Sequence, residues 1–243
     1  MRILIISDIH ANLAALEAVL DDARGDWDEM WFLGDLLGYG PDPNACGALL
    51  REQKPIVLTG NHDWAVLGRL DLDEFNSDAR MATLWTQAEL TLASMQYLNT
   101  LPLEAKQEGY HLVHASPREP IWEYLPDVAS ACANFAHFVE PVCMVGHTHL
   151  PLVFQFDEER GRCKMVPNPA PGPLKLNQHR MILNPGSVGQ PRDGDPRASY
   201  AILDTDEMTW QFHRVSYPVN IVQERMRAKG LPRRLVERLA YGK

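Results

Sequence analysis

The chain has 243 residues, length enough for one substantial domain, and 32 acidic against 23 basic residues give it a formal charge of −9. An overall negative field repels phosphate backbones and counts against a general, charge-driven nucleic-acid binder, while 45% apolar and 23% charged residues exclude a disordered chain. No apolar run approaches the ~20 residues of a membrane span, the start carries no signal-peptide core, and four cysteines lack disulfide spacing; the expectation is a cytoplasmic protein with reduced thiols.

Residues 2–8 (Arg-Ile-Leu-Ile-Ile-Ser-Asp) form a continuous apolar run that predicts a buried strand. Asn12 is placed to cap a helix whose apolar stripe is Leu13, Leu16, Val19, Leu20 and Ala23. Residues 29–33 predict a second strand ending at Gly34-Asp35, and residues 55–58 a third ending at Gly60-Asn61-His62-Asp63. A helical insertion is expected over residues 64–108, with Trp85, Leu92, Met95 and Leu98 as core contacts. Strands four and five, residues 110–114 and 142–145, flank a helix within residues 129–139 and end at His114 and at Gly146-His147-Thr148-His149. The texture then turns to strands at residues 152–156, 163–166, 181–183, 200–204 and 209–215, with a proline-rich loop at 167–173. Helix-linked strands first and hairpin-like strands later predict an α/β fold: a four-layer α/β/β/α sandwich of two mixed sheets in a single domain, 1–243. From Arg214 onward eight basic residues face two acidic ones, so the body carries −15 and a basic helical tail, 217–243, is expected to dock on it.

All five early strands end in residue types that ligate metals. In a mostly parallel sheet the carboxyl ends of the strands meet along one edge, where α/β proteins place their ligands. If the chain stays extended, Asp8 and His10 project to the same side, and so do His147 and His149. Oxygen donors mixed with imidazole suit Mn, Fe, Zn, Co or Ni. Two carboxylates converging without a cation repel and raise each other's pKa, and a dication reverses that. Eight candidate donors exceed the need of one ion, and two ions sharing a carboxylate is the economical arrangement.

Asp8-Ile-His10, Gly34-Asp35, Gly60-Asn61-His62-Asp63, His114 and Gly146-His147-Thr148-His149 resemble, in order and spacing, the signature of the calcineurin-like metallophosphoesterases, and Asn184-Pro-Gly-Ser187 resembles the bacterial and archaeal phosphodiesterase-like branch. The resemblance implies Asp8, His10, Asp35 and His149 at one divalent ion, and Asp35, Asn61, His114 and His147 at a second, with Asp35 bridging; manganese is the first expectation. It further implies hydrolysis of a phosphodiester or phosphomonoester by a hydroxide generated between the ions, with His62 as general acid. Gly38 stands where the protein Ser/Thr phosphatases have a carboxylate that orients the catalytic histidine, and Thr59 replaces the arginine before their third motif, so a small phosphate ester, such as a nucleotide-derived one, is the expected substrate rather than a phosphoprotein. A non-catalytic scaffold and a nuclease of the same fold are the competing readings. Arg118, Arg192 and Tyr39 are candidate substrate contacts, set against loop arginines paired with Asp193 or Asp195 and a tyrosine packed on the sheet. His111 is expected to face away from His114.

Overall fold

The computed structural model describes residues 1–167, 172–176 and 179–243. Its first half alternates strand and helix: β1 (Arg2–Ile6), α1 (Leu13–Asp22), β2 (Glu29–Phe32), α2 (Pro43–Glu52), β3 (Ile56–Val57), α3 (Asn61–Val66), α4 (Ser77–Glu89) and α5 (Leu92–Leu98). A hairpin of β4 (Glu104–Gln107) and β5 (Tyr110–Val113) precedes α6 (Val128–Asn134) and β6 (Val142–Met144). There follow β7 (Pro151–Asp157), β8 (Arg162–Met165), β9 (Leu174–Lys175), β10 (Arg180–Pro185), β11 (Ala198–Asp204) and β12 (Thr209–Val215), then α7 (Val219–Ala228) and α8 (Arg233–Arg238).

The strands form two mixed sheets, ordered β3-β2-β1-β11-β12-β9 and β4-β5-β6-β10-β7-β8. In the first, β1, β2 and β3 are parallel; in the second, β5, β6 and β10 are. The alternation of side chains along each strand divides the core into layers. Ile3 and Ile5 of β1, Trp31 of β2, Leu112 of β5, Met144 of β6 and Leu203 of β11 meet between the sheets. Leu4, Ile6, Phe32, Tyr200 and Ile202 point the other way, under α1, α2, α7 and α8. Val113, Cys143 and Ile182 pack under α6 and the Phe135–His137 turn. Burial on both faces explains why β1 reads as an unbroken apolar run, each such side chain contributing roughly 1.5–3 kcal/mol. The fold is therefore the expected four-layer sandwich.

Several local expectations are corrected. The stretch 64–108 does not stay helical, because Glu104–Gln107 pairs antiparallel with β5 through a turn in which Glu108 and Gly109 both have positive φ. Sequence reading missed helix α2, which Pro43 opens at its first turn and whose buried Cys46, Gly47 and Leu50 recur at helical spacing. Leu92 is 70% exposed, since α5 buries Ser94 and Leu98 instead, and Ser94 Oγ donates to Asn44 Oδ1 at 2.8 Å. The proline-rich stretch 167–173 lies largely outside the described residues. The basic tail packs on the body: Val222, Met226 and Leu235 join the helix-side core, Arg225 pairs with Asp42, and Lys229 Nζ lies 3.3 Å from Glu89. Among the described residues, no helix is long and apolar enough to cross a membrane.

Candidate metal centre

The loops that follow β1, β2, β3, β5, β6 and β10 converge on one edge of the sandwich. The chain does not stay extended there: Asp8, His10, Asp35, His147 and His149 all have φ between 47° and 63°. This left-handed region costs a non-glycine residue roughly 1–3 kcal/mol each, and the surrounding hydrogen bonds hold it. Asp8 N–H and His10 N–H donate to the carbonyls of Gly34 and Asp35, so the turns after β1 and β2 run side by side. His147 N–H donates to Asp8 Oδ2 at 3.1 Å, tying one sheet to the other. Asn184 Nδ2 donates to the Gly146 carbonyl and Ser187 Oγ to the Asp8 carbonyl, which gives the Asn-Pro-Gly-Ser segment a structural role. Gly60 is required by close approach, since a Cβ there would lie 2.1 Å from Asp35 Oδ1. Asp63 makes no side-chain hydrogen bond to His62; its carboxylate accepts from the backbone N–H groups of Asp35, Leu36, Leu37 and Gly60 and clamps the two loops together.

Asp8, His10 and His149 offer ligand atoms within 4.8 Å of one another, and so do Asp35, His114 and His147. His10 Nε2 is also 3.7 Å from Asp35 Oδ2, which places Asp35 beside both groups. Asn61 Oδ1 lies 3.3 Å from His114 Nε2. The imidazoles are oriented by main-chain carbonyls. A carbonyl oxygen only accepts, so the ring nitrogen facing it carries the proton. His10 Nδ1 donates to Leu37 O at 2.8 Å, His149 Nδ1 to Gln190 O at 2.6 Å, His114 Nδ1 to Leu33 O at 2.8 Å and His147 Nε2 to Trp122 O at 3.3 Å. The Nε2 atoms of neutral His10 and His149 then face each other lone pair to lone pair, 3.0 Å apart. Asp35 Oδ2 is buried with no hydrogen-bond partner.

Burial pushes Asp8 up to about 7, and it drives His10 and His149 far down and His147 down to about 3. Burial also opposes charge on Asp35, yet His114 and His62 hold its carboxyl below the usual range. His114 is the converse: burial lowers it, but Asp35 at 3.4 Å prevails and holds it up to about 9. A proton on His114 thus fills in part the place that the donor set suits to a cation. Buried carboxylates, an orphan carboxylate oxygen and facing imidazole lone pairs fit divalent ions bound by mixed nitrogen and oxygen donors.

His62 is 4% exposed, its Nδ1 has no partner, and its ring packs on Tyr39, His10 and the edge of Phe75, with centroids 4.4, 5.0 and 5.3 Å away. A Cβ on Gly38 would lie 2.7 Å from His62 Nδ1, so this glycine leaves beside the ring the space a side chain would take. Tyr39 is buried between His10 and His62 rather than presented as an open stacking face. Arg192 Nη2 reaches Tyr39 Oη at 3.4 Å. Of the candidate substrate contacts, Arg118 is engaged by Glu123, much as Arg197 is by Asp195 and Arg214 by Asp193. His111 turns away, its Nε2 2.9 Å from Glu104. Sequence reading missed Tyr124, whose ring lies 3.9 Å from that of His147, and the carbonyls that set the tautomers. No spacing signal marks such partners, because they come from loops far along the chain.

The calcineurin-like phosphoesterase superfamily domain matches residues 1–208. A metallophosphoesterase from Sphaerobacter thermophilus is 50% identical, with a TM-score of 0.91 over 100% of this chain and 99% of that one. The protein MJ0912 of Methanocaldococcus jannaschii is 39% identical over 249 residues, covering 99% of this chain and 98% of its own. Phosphodiesterase YfcE of Escherichia coli is 27% identical over 222 residues, 86% of this chain and 90% of its own. Sequence order, fold and likeness agree: the chain belongs to the calcineurin-like phosphoesterase superfamily.

Proposed function

We propose that the protein hydrolyses a small phosphate ester with two divalent ions, manganese being the first candidate. Asp8, His10, Asp35 and His149 would hold one ion; Asp35, Asn61, His114 and His147 the other. The observation that carries this reading is the 3.0 Å contact between His10 Nε2 and His149 Nε2, two lone pairs that only a cation or a proton reconciles. Bound there, divalent ions supply Lewis-acid chemistry: they lower the pKa of a water at the site and neutralise charge on the phosphoryl oxygens. The chain's own residues do the rest. Asp35 and Asp8 offset the positive charge and orient it, and the carbonyls of Leu37, Gln190, Leu33 and Trp122 keep each imidazole in the ligating tautomer. His62, which offers a ring nitrogen within 4.8 Å of ligand atoms of His10 and Asp35 but is left out of the assigned ligand sets, donates a proton to the leaving oxygen, a step typically worth 10²–10⁴-fold. Arg192, close to Tyr39, grips a non-bridging phosphate oxygen. The YfcE likeness favours a diester among the substrates.

A hydrolysis panel tests this: a chromogenic phosphate monoester, its diester, a dinucleoside polyphosphate and a phosphopeptide, each with Mn, Ni, Co, Zn or Mg. Metal-dependent turnover of the diester or monoester is expected, with the phosphopeptide poorest. Little tightly bound metal and no turnover of any ester would instead indicate a scaffold.

A further inference from the structure

Beside the centre lies a cavity of about 600 Å³, one wall of which is built by the chain's last helix. Its inner wall is Tyr39, Tyr124 and Arg192, all beside the ligand loops; its outer wall includes Arg234, Arg238 and Lys243. Two of these cations, Arg192 and Arg234, have no anionic partner among the described residues. Arg192 Nε is buried with no hydrogen-bond partner, and its Nη2 meets only neutral oxygens, Gln190 Oε1 at 3.0 Å and Tyr39 Oη at 3.4 Å. Arg238 Nε is already engaged by the Lys243 main-chain oxygen, whereas Arg234 forms no carboxylate ion pair among the described residues. Burial and then the Arg192 guanidinium push Arg238 down to about 10, so the two side chains feel each other's charge. Two carboxylates also line the space. Glu237 is already paired with Arg233, and Asp78, in the first turn of α4, lines the same space and its charge acts on Arg238. Like charges gathered around a cavity are unfavourable until an anion enters, and guanidinium forks match phosphate geometry.

We propose that this cavity binds a second phosphate of the substrate, with Arg238 and Arg234 of α8 acting beside Arg192 as specificity-determining residues, so that the substrate class is a polyphosphate-linked ester rather than a simple monoester. This deepens the phosphoesterase reading above and rests on it. The volume suits such a group, since cavities of about 300–1,000 Å³ take nucleotide-sized ligands. Tyr124, 47% exposed and packed on His147, offers an aromatic face at the same mouth. The tail that sequence analysis set apart by its charge thereby becomes part of the site.

Calorimetric titration of the manganese-loaded full chain, with manganese in excess over all phosphate, tests this by comparing tripolyphosphate with inorganic phosphate. Wild type should bind tripolyphosphate at least about tenfold more tightly, the lower end for a charge-assisted hydrogen bond to a partly buried guanidinium. Arg238→Gln should cut that ratio about tenfold, Arg234→Gln severalfold, and Arg238→Lys should restore part of it. Arg234 is exposed, so its variant answers even if Arg238→Gln fails to fold. A ratio near one in wild type, or one unchanged in both Gln variants, overturns the proposal. If no ester is turned over with any metal while the ratio still follows Arg238, the catalytic reading fails and this binding site stands.

Discussion

Each imidazole of the centre is held by one main-chain carbonyl, and that bond decides which nitrogen keeps a lone pair. Asp35 depends on this arrangement most, because its unpartnered Oδ2 lies near His10 and His114 at once. Asp35→Asn removes the charge that both donor groups share. Purified variant protein should lose most of its bound metal by elemental analysis, and a near-normal content would refute the bridging role. His62 makes a contrasting case. His62→Ala should retain both ions yet lose about 10²–10⁴-fold in kcat on esters with poor leaving groups and much less on activated ones. Equal losses on both would mean that His62 positions substrate and does not move a proton.

The turns between elements carry the strain, and short hydrogen-bonded devices pin them. One lies between β5 and α6, where Glu123 accepts from Arg118, Ser116 Oγ and Asn134 Nδ2, next to the Trp122 carbonyl that faces His147. The Arg118 pair, followed by the other donors, holds Glu123 down to about 2, against 4.5 ordinarily. A carboxyl depressed in the folded state stabilises it above its unfolded pKa, and that contribution fades as pH falls from about 4.5 towards about 2. Glu123→Gln should therefore melt at a lower temperature than wild type at pH 7, and the gap should close on acidification to about pH 2–3. Thermal melts across pH check this, and a gap independent of pH would assign the effect to packing.

For the molecule as a whole, neither sheet holds a complete site. Asp8, His10, Asp35 and Asn61 follow strands of the first sheet, His114, His147 and His149 those of the second, and the apolar layer between them fixes the distance. The terminal helices are integral to this body, because Val222 and Met226 of α7 are as buried as the strands they cover. Met226→Ala should cost roughly 2–5 kcal/mol in urea-induced unfolding, the range for a buried Met truncated without collapse of the cavity. A cost below about 0.5 kcal/mol would mean that α7 and α8 dock loosely on the rest.

Local chemistry made much of this readable from the chain alone. An unbroken apolar run marked β1 as a buried strand, and Asn12 was legible as a cap, its Oδ1 accepting from Ala15 N–H at 3.2 Å. The strand-end acids and imidazoles announced themselves because buried charge at so many strand ends is untenable without a counter-ion. What escaped was whatever depends on residues distant in sequence. Edge strand β4 has little apolar signal, Arg118 found Glu123, Asp63 turned to four backbone N–H groups, and the basic tail brought Arg238 to Arg192. Residue types and their order determine which groups are available and which strands are buried, since hydrophobic burial and backbone pairing act along the chain. Tautomer, strained φ and the partner of each charge were decided by tertiary structure, because each is set by the one carbonyl, carboxylate or ring that packing brings within about 3 Å.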